Sequence, residues 1–228
     1  MNDFIKDCVV IVPTYNESEN IEKTLIDLKK YFTNILIVDD GSEDNTKLIL
    51  NRMGSNSISH AMNIGQGGSI GTGLSYFINN TNFEYAITFD ADGQHRADQA
   101  LEMLNYAFSE NLDAVIGSRF ANKESFLKIP MSKRITLILA SLYESIFYSI
   151  PFKDAHNGLR VLRRSLVENF LLPLEDFDMN HATEISYKII RSGKRFKEYP
   201  VDIIYKNKSS QGAINAINIA LSSILNKK

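Results

Sequence analysis

At 228 residues, with 44% hydrophobic and 23% charged content, the chain suffices for one well-packed domain and is too short for two comfortable ones. The composition excludes wholesale disorder, and a single cysteine, Cys8, excludes an internal disulfide and suits the reducing cytoplasm. The net charge of −2 hides an asymmetry: residues 1–120 hold 8 Lys/Arg against 17 Asp/Glu, and residues 121–228 hold 17 against 10. A positive half suits a phosphate-bearing ligand or an anionic membrane surface, and equally a solvated basic face.

Met1-Asn2-Asp3-Phe4 shows no basic region leading into an apolar stretch, so no signal peptide is expected. Val9-Val10-Ile11-Val12 predicts a strand, and Ile21 to Phe32 a helix from its apolar spacing. Ile35-Leu36-Ile37-Val38 predicts a second strand, followed by a helix from about Asp44 to Met53 and a short strand over Ser57 to His60. Glu84 to Phe89 and Ala114 to Ile116 add two strands, separated by a helix across Ala97 to Phe108. Continuous apolar strands alternating with helices imply a mostly parallel, doubly wound α/β sheet.

The pattern loosens from Asn122 to Pro130, and the internal boundary is placed there. Met131 to Ile150 then predicts an amphipathic helix, broken by Ser141, Glu144, Ser145 and Ser149. It falls short of the roughly 20 uninterrupted apolar residues of a membrane span and reads as buried or interfacial. A strand near Leu159 to Leu162, a helix across His181 to Arg191 and a strand through Tyr199 to Tyr205 follow. A terminal helix carries Ile214, Ile217, Leu221 and Ile224 on one stripe, and this second part is expected to pack on the first.

Ligands of open α/β sheets bind beyond the carboxyl ends of the strands. Three predicted strands end there in Pro13-Thr14-Tyr15-Asn16-Glu17, Asp39-Asp40-Gly41-Ser42 and Asp90-Ala91-Asp92-Gly93-Gln94-His95. Each alone reads as a turn or cap; three on one rim read as a site. Asp90 and Asp92 supply hard oxygen ligands for Mg²⁺ or Mn²⁺ bridging two phosphates, Gln94 offers a neutral oxygen, and His95 is a ligand or a neighbour. The Asn63 to Gly71 stretch resembles a phosphate-cradling loop without matching a dinucleotide or phosphate-loop pattern; its glycines read as close helix–sheet packing beside the nucleotide, with direct phosphate contact as the alternative. His60, His156 and His181 make no metal-ligand spacing and are read as structural or supporting, and no Gly-x-Ser-x-Gly elbow appears.

In this order and spacing, the Pro13–Glu17 turn, Asp39-Asp40-Gly41-Ser42, Asn63 with its glycines, Asp90 to Gln94 and Gly117-Ser118-Arg119 resemble family 2 glycosyltransferases. Asp154-Ala155-His156-Asn157-Gly158-Leu159-Arg160 and Glu198-Tyr199-Pro200-Val201 with Tyr205 are similar to elements of the polyprenyl-phosphate, dolichyl-phosphate mannose synthase-like branch. The resemblance implies a single inverting transferase domain of GT-A fold. Residues 1–121 would be its nucleotide-sugar-binding half and 122–228 a smaller acceptor-side half.

By that resemblance Pro13, Tyr15, Glu17 and Asp40 hold the nucleoside of a UDP- or GDP-linked donor. Asp90, Asp92 and Gln94 hold the metal, and Arg119 faces phosphate. Gln66 stands where the family often has a basic residue. Lys206-Asn207-Lys208-Ser209-Ser210 replaces its Arg-x-x-Gly-x-Ser, which makes Lys206 and Lys208 the candidates for the diphosphate clamp.

A lipid-phosphate acceptor needs positive positioning groups, whereas a sugar hydroxyl needs a general base. Asp154 is the candidate as base or as acceptor orienter. Three readings stand: transfer to a polyprenyl phosphate, transfer to a sugar hydroxyl in surface-polysaccharide or glycan assembly, and non-catalytic nucleotide-sugar binding. The expected location is cytoplasmic and peripheral to the inner membrane face, through the bilayer or a membrane protein. A homo-oligomer is compatible with this, and no nucleic-acid partner is expected.

Overall fold

The computed structural model describes residues 3–148, 151–154, 156–177 and 181–205. Its strands are β1 (Cys8–Thr14), β2 (Ile35–Asp39), β3 (Ser57–Ser59), β4 (Tyr85–Thr88), β5 (Ala114–Ser118), β6 (Arg160–Arg163) and β7 (Phe196–Pro200). They form one sheet in the order β3-β2-β1-β4-β6-β5-β7. Every neighbouring pair is parallel except those of β6, which runs antiparallel to both β4 and β5. The helices are α1 (Asp3–Lys6), α2 (Ile21–Leu28), α3 (Thr46–Arg52), α4 (Gln66–Asn80), α5 (Ala97–Ser109), α6 (Lys123–Lys128), α7 (Met131–Tyr148), α8 (Arg164–Leu166) and α9 (His181–Arg191); α8 continues into a π-helical turn, Val167–Leu171.

The alternation of side chains along β1 shows why both faces of the sheet are covered. Val10 and Val12 point into a core with Ile21, Leu25 and Leu28 of α2 and Met103 and Leu104 of α5. Val9 and Ile11 point the other way, into a second core with Ile70, Leu74 and Phe77 of α4 and Ile185 and Ile189 of α9. Each fully buried aliphatic side chain contributes about 1.5–3 kcal/mol relative to exposure. Cys8 is buried at the start of β1, and burial, aided by the neighbouring charge of Asp7, pushes its thiol up to about 12. It stays protonated and packs as a small apolar group.

One helix was not anticipated, and two expectations need correction. The glycine-rich stretch after Asn63 opens α4, a 15-residue helix. Its propensity is poor because glycine loses more conformational freedom than other residues. The helix forms because Ile70, Leu74 and Phe77 are buried, and because glycine lets it approach β1: a Cβ on Gly73 would lie 2.3 Å from Ile11 Cγ2. The loosened stretch from Asn122 contains α6, whose first turn is capped by Asn122 Oδ1 accepting from the Ser125 amide at 2.8 Å. The last strand begins at Phe196 and ends at Pro200, not Tyr205, because its parallel ladder with β5 runs out at Ser118.

Helix α7 runs from Met131 and carries an exposed apolar stripe of Met131, Ile135, Ile138, Leu139 and Leu142. No helix among the described residues is long and apolar enough to cross a membrane. The terminal helix expected around Ile214 to Ile224 lies outside the described residues.

Candidate active site

From β1 the chain builds outward to β2 and β3 on one side, while β4 lies on the other. The strand order therefore reverses between β1 and β4, and a crevice opens at their carboxyl ends. A cavity of about 380 Å³ occupies it, lined by Pro13, Tyr15, Glu17, Asp40, Gln66, Asp90 and Asp92 together with neighbouring loop residues. Of the described residues expected on the donor and metal side, Pro13, Tyr15, Glu17, Asp40, Asp90 and Asp92 are on that lining, and Gln94 and Arg119 are not.

The wall after β1 is fastened to the loop after β2. Asn16, at φ 53°, accepts from the Glu43 amide through Oδ1 at 2.9 Å and donates its own amide to Ser42 Oγ at 2.9 Å. Asparagine tolerates this left-handed backbone better than most residues. The Glu17 amide donates to Thr46 Oγ1, and the Ser18 and Thr46 amides donate to Asp44. Burial raises the Asp44 carboxyl, but these hydrogen bonds prevail and hold it at about 2.

Asp40 is 2% exposed and closes the far wall. Its Oδ1 accepts from His60 Nδ1 at 2.7 Å and the Ile64 amide at 3.0 Å, and its Oδ2 from the Gly65 amide at 2.8 Å. The following amides, of Gly67 and Gly68, both donate to the Phe177 carbonyl. The glycine loop thus directs its amides into the protein. A Cβ on Gly67 would lie 2.3 Å from the Asp176 carbonyl, so the close packing expected of these glycines is here against the loop before α9 rather than the sheet.

Asp90 is gripped from two sides, with Gln66 Nε2 donating to Oδ1 and His95 Nε2 to Oδ2, each at 3.0 Å. Burial raises its carboxyl, but the His95 hydrogen bond and the charges of His95, His181 and Arg160 hold it below the usual carboxylate value. His95 stands edge-on to Phe89 and serves as a neighbour of Asp90. Asp92 receives the Gln94 backbone amide at 2.9 Å and its side-chain amide nitrogen at 2.5 Å. Gln94 therefore steadies Asp92.

Among the described residues no three His, Cys, Asp or Glu side chains converge into a metal cage. That donor set still fits Mg²⁺ or Mn²⁺ in a phosphate site, where one or two carboxylates suffice and substrate oxygens and water complete the shell.

The antiparallel course of β6 brings the second motif to the same rim. Thr88 pairs with Arg160, so the residues preceding β6 lie at the carboxyl end of β4. Thr88 Oγ1 donates to the Gly158 carbonyl at 2.6 Å, and a Cβ on Gly158 would fall 2.2 Å from Asp90 Oδ2. Only glycine lets this backbone lie against the carboxylate.

Arg119, just past β5, meets Asp154 in a two-pronged ion pair, with Nε to Oδ2 at 2.6 Å and an Nη to Oδ1 at 2.5 Å. The Arg119 amide also donates to Oδ2 at 2.9 Å. Burial opposes the guanidinium charge, but Asp154 more than restores it, and Tyr205 adds a hydrogen bond. These two residues were expected in separate roles, on phosphate and on acceptor; the structure brings them together on each other, outside the lining of the cavity. Lys206 and Lys208 lie outside the described residues.

Sequence reasoning missed the contacts of His60 and Thr72, whose ring and hydroxyl sit 3.0 Å apart behind Asp40. A polar residue closing β3 was the only local signal. It missed likewise that Gln66, noted only as departing from a basic pattern, holds Asp90.

The sheet order, the inverted β6 and the acidic rim at the switch point are those of a GT-A fold. A solved glucosyl-3-phosphoglycerate synthase from Mycobacterium tuberculosis, in complex with Mn²⁺, uridine diphosphate and glucosyl-3-phosphoglycerate, superposes with a TM-score of 0.65 at 15% identity, covering 96% of this chain and 78% of that one. The Glycosyl transferase family 2 model matches residues 9–171, and the chain belongs to that family of glycosyltransferases. It is 27% identical to the UDP-N-acetylglucosamine–dolichyl-phosphate N-acetylglucosaminyltransferase of Methanococcus voltae, over 91% of this chain and 90% of that one. It is 26% identical to the undecaprenyl-phosphate mannosyltransferase of Micrococcus luteus, over 86% and 83%.

Proposed function

We propose that the protein transfers a sugar, with inversion, from a UDP- or GDP-linked donor to a polyprenyl phosphate, using Mg²⁺ or Mn²⁺. The observation that carries the acceptor class is the closed Arg119–Asp154 pair. Both Asp154 oxygens are taken and the side chain is 2% exposed, so it is a poor general base for a sugar hydroxyl. A lipid phosphate is already an anion at neutral pH and needs no base. It needs a fixed positive group, and Asp154 holds Arg119 in one orientation as such a group. The names of the polyprenyl-phosphate relatives support the same reading.

The chain's own residues divide the donor between them. Tyr15, Glu17 and Asp40 face the nucleoside; Asp92, steadied by Gln94, and Asp90, held by Gln66 and His95, face the diphosphate side of the cavity. A metal bound there offsets charge developing on the departing nucleoside diphosphate. In-line attack at the anomeric carbon then depends on how rigidly donor and acceptor are held, and the bonds within the rim supply that rigidity. The apolar stripe of α7 and the excess of basic residues beyond 120 suit a membrane surface, where such an acceptor resides.

The test is incubation of the purified chain with labelled UDP- and GDP-sugars, each metal, and either undecaprenyl phosphate or free sugar acceptors. A prenyl-phosphate-linked sugar is the expected product. Asp92→Asn lowers its formation by at least about a hundredfold, the loss of several kcal/mol of charge stabilisation. Product on sugar hydroxyls alone would move the acceptor reading, and full Asp92→Asn activity in chelator would end the metal reading.

A further inference from the structure

The carboxylate of Asp40 is unusually well furnished for a group on a cavity wall. Three N–H donors reach it, from His60, Ile64 and Gly65, and they fill about three of its four acceptor positions. Two of the three fall on Oδ1, so the remaining position is on Oδ2. Because a carboxylate only accepts, His60 donates to it from Nδ1, and the opposite ring nitrogen, Nε2, meets the Thr72 hydroxyl at 3.0 Å. Thr72 belongs to the second turn of α4, and His60 follows β3 directly, its amide donating to the Asp39 carbonyl. A chain of side-chain bonds from Asp40 through His60 to Thr72 therefore ties the ends of β2 and β3 to α4. The loop between is pressed into place: a Cβ on Gly41 would lie 2.7 Å from the Met62 carbonyl carbon, and Gly65 turns at φ 99°.

We propose that His60, backed by Thr72, is a positioning residue that aims the remaining acceptor position of Asp40 at the imino N–H of the donor's base, so that this relay selects uridine or guanosine donors over cytidine or adenosine ones. The inference rests on the nucleotide-sugar reading. Uracil N3 and guanine N1 carry a hydrogen; cytosine N3 and adenine N1 present a lone pair. A buried acceptor that meets a second acceptor leaves both unpaired, and such mismatches give far stronger discrimination than differences in apolar fit. The His60 ring touches no part of the donor. It acts by keeping Asp40 from rotating and by occupying the oxygen that is not needed for the base.

Calorimetric titration with UDP, GDP and UDP methylated at base N3, each with Mn²⁺, tests the relay on the wild-type chain, His60→Ala, His60→Asn and Thr72→Val. The wild-type chain binds UDP or GDP, and where UDP binds, the methylated form binds at least about tenfold more weakly. His60→Ala weakens the unmethylated nucleotide about tenfold and leaves the methylated one unchanged, so the discrimination collapses. His60→Asn restores it, because the asparagine amide nitrogen reaches the place of Nδ1. Thr72→Val shows the same direction at smaller size and serves where His60→Ala does not fold. Steady-state rates with the matching nucleotide sugar show a raised donor KM at unchanged kcat. Equal weakening of methylated and unmethylated nucleotide would reduce His60 to a loop support, and unchanged affinity would overturn the relay outright. Failure of the wild-type chain to bind any nucleoside diphosphate is a separate result that overturns the donor reading itself.

Discussion

Asp44 shows how a residue outside the chemistry supports the donor wall. Its carboxylate receives the Ser18 and Thr46 amides and so joins the loops after β1 and β2. Its carboxyl lies at about 2, below the ordinary aspartate value, so the folded state prefers it ionised. The stability it contributes is fully present above about pH 4 and disappears as pH falls through about 2. Acid unfolding of the wild-type chain and Asp44→Asn should therefore differ above pH 4, and the two curves should converge near pH 2. Parallel curves over that whole range would refute the assignment. Because the group is exposed, solvent screens the effect, which stays small beside loss of a core side chain.

Among the described elements, α7 carries the longest exposed apolar stripe. Ile135, Ile138, Leu139 and Leu142 are 45–60% exposed on one stripe, beside a groove formed with Phe120, Pro151 and Phe152. Contiguous apolar surface of this kind marks an interaction site more often than chance exposure. On the membrane reading, the purified chain floats with anionic vesicles at low salt. Replacing Ile138 and Leu142 together by aspartate removes two apolar contacts, each worth about 1.5–3 kcal/mol when buried, and abolishes flotation without lowering stability in solution. A wild-type chain that stays unbound at low salt would turn the stripe toward a protein partner or a second copy.

Over the whole molecule, the sheet ties the two halves of the sequence together. β6, from beyond residue 122, lies between β4 and β5 from before it, and pairs with both. A fragment of residues 1–121 keeps β4 and β5 but leaves them without the strand that joins them. It should unfold without a cooperative transition in denaturant, with a slope well below that of the full chain. A sharp transition in the fragment would instead show two units able to fold apart.

The sequence by itself determined the sheet class, the order of most elements and the acidic rim. Those signals are local: an apolar run names a strand, and the polar residues closing it stand at its carboxyl end. Gly158 and Arg119 were legible through the family resemblance of the motifs that hold them. Tertiary structure alone decided what joins distant positions. The direction of β6 follows from which edges it fills, not from its four residues, and only that direction lays Gly158 against Asp90. The Arg119–Asp154 pair bridges 35 positions, and the Asp40–His60 contact 20, separations that no helical or strand period encodes. Helix α4 forms against its own glycine content because burial against β1 outweighs propensity, a balance that appears only once the sheet is in place.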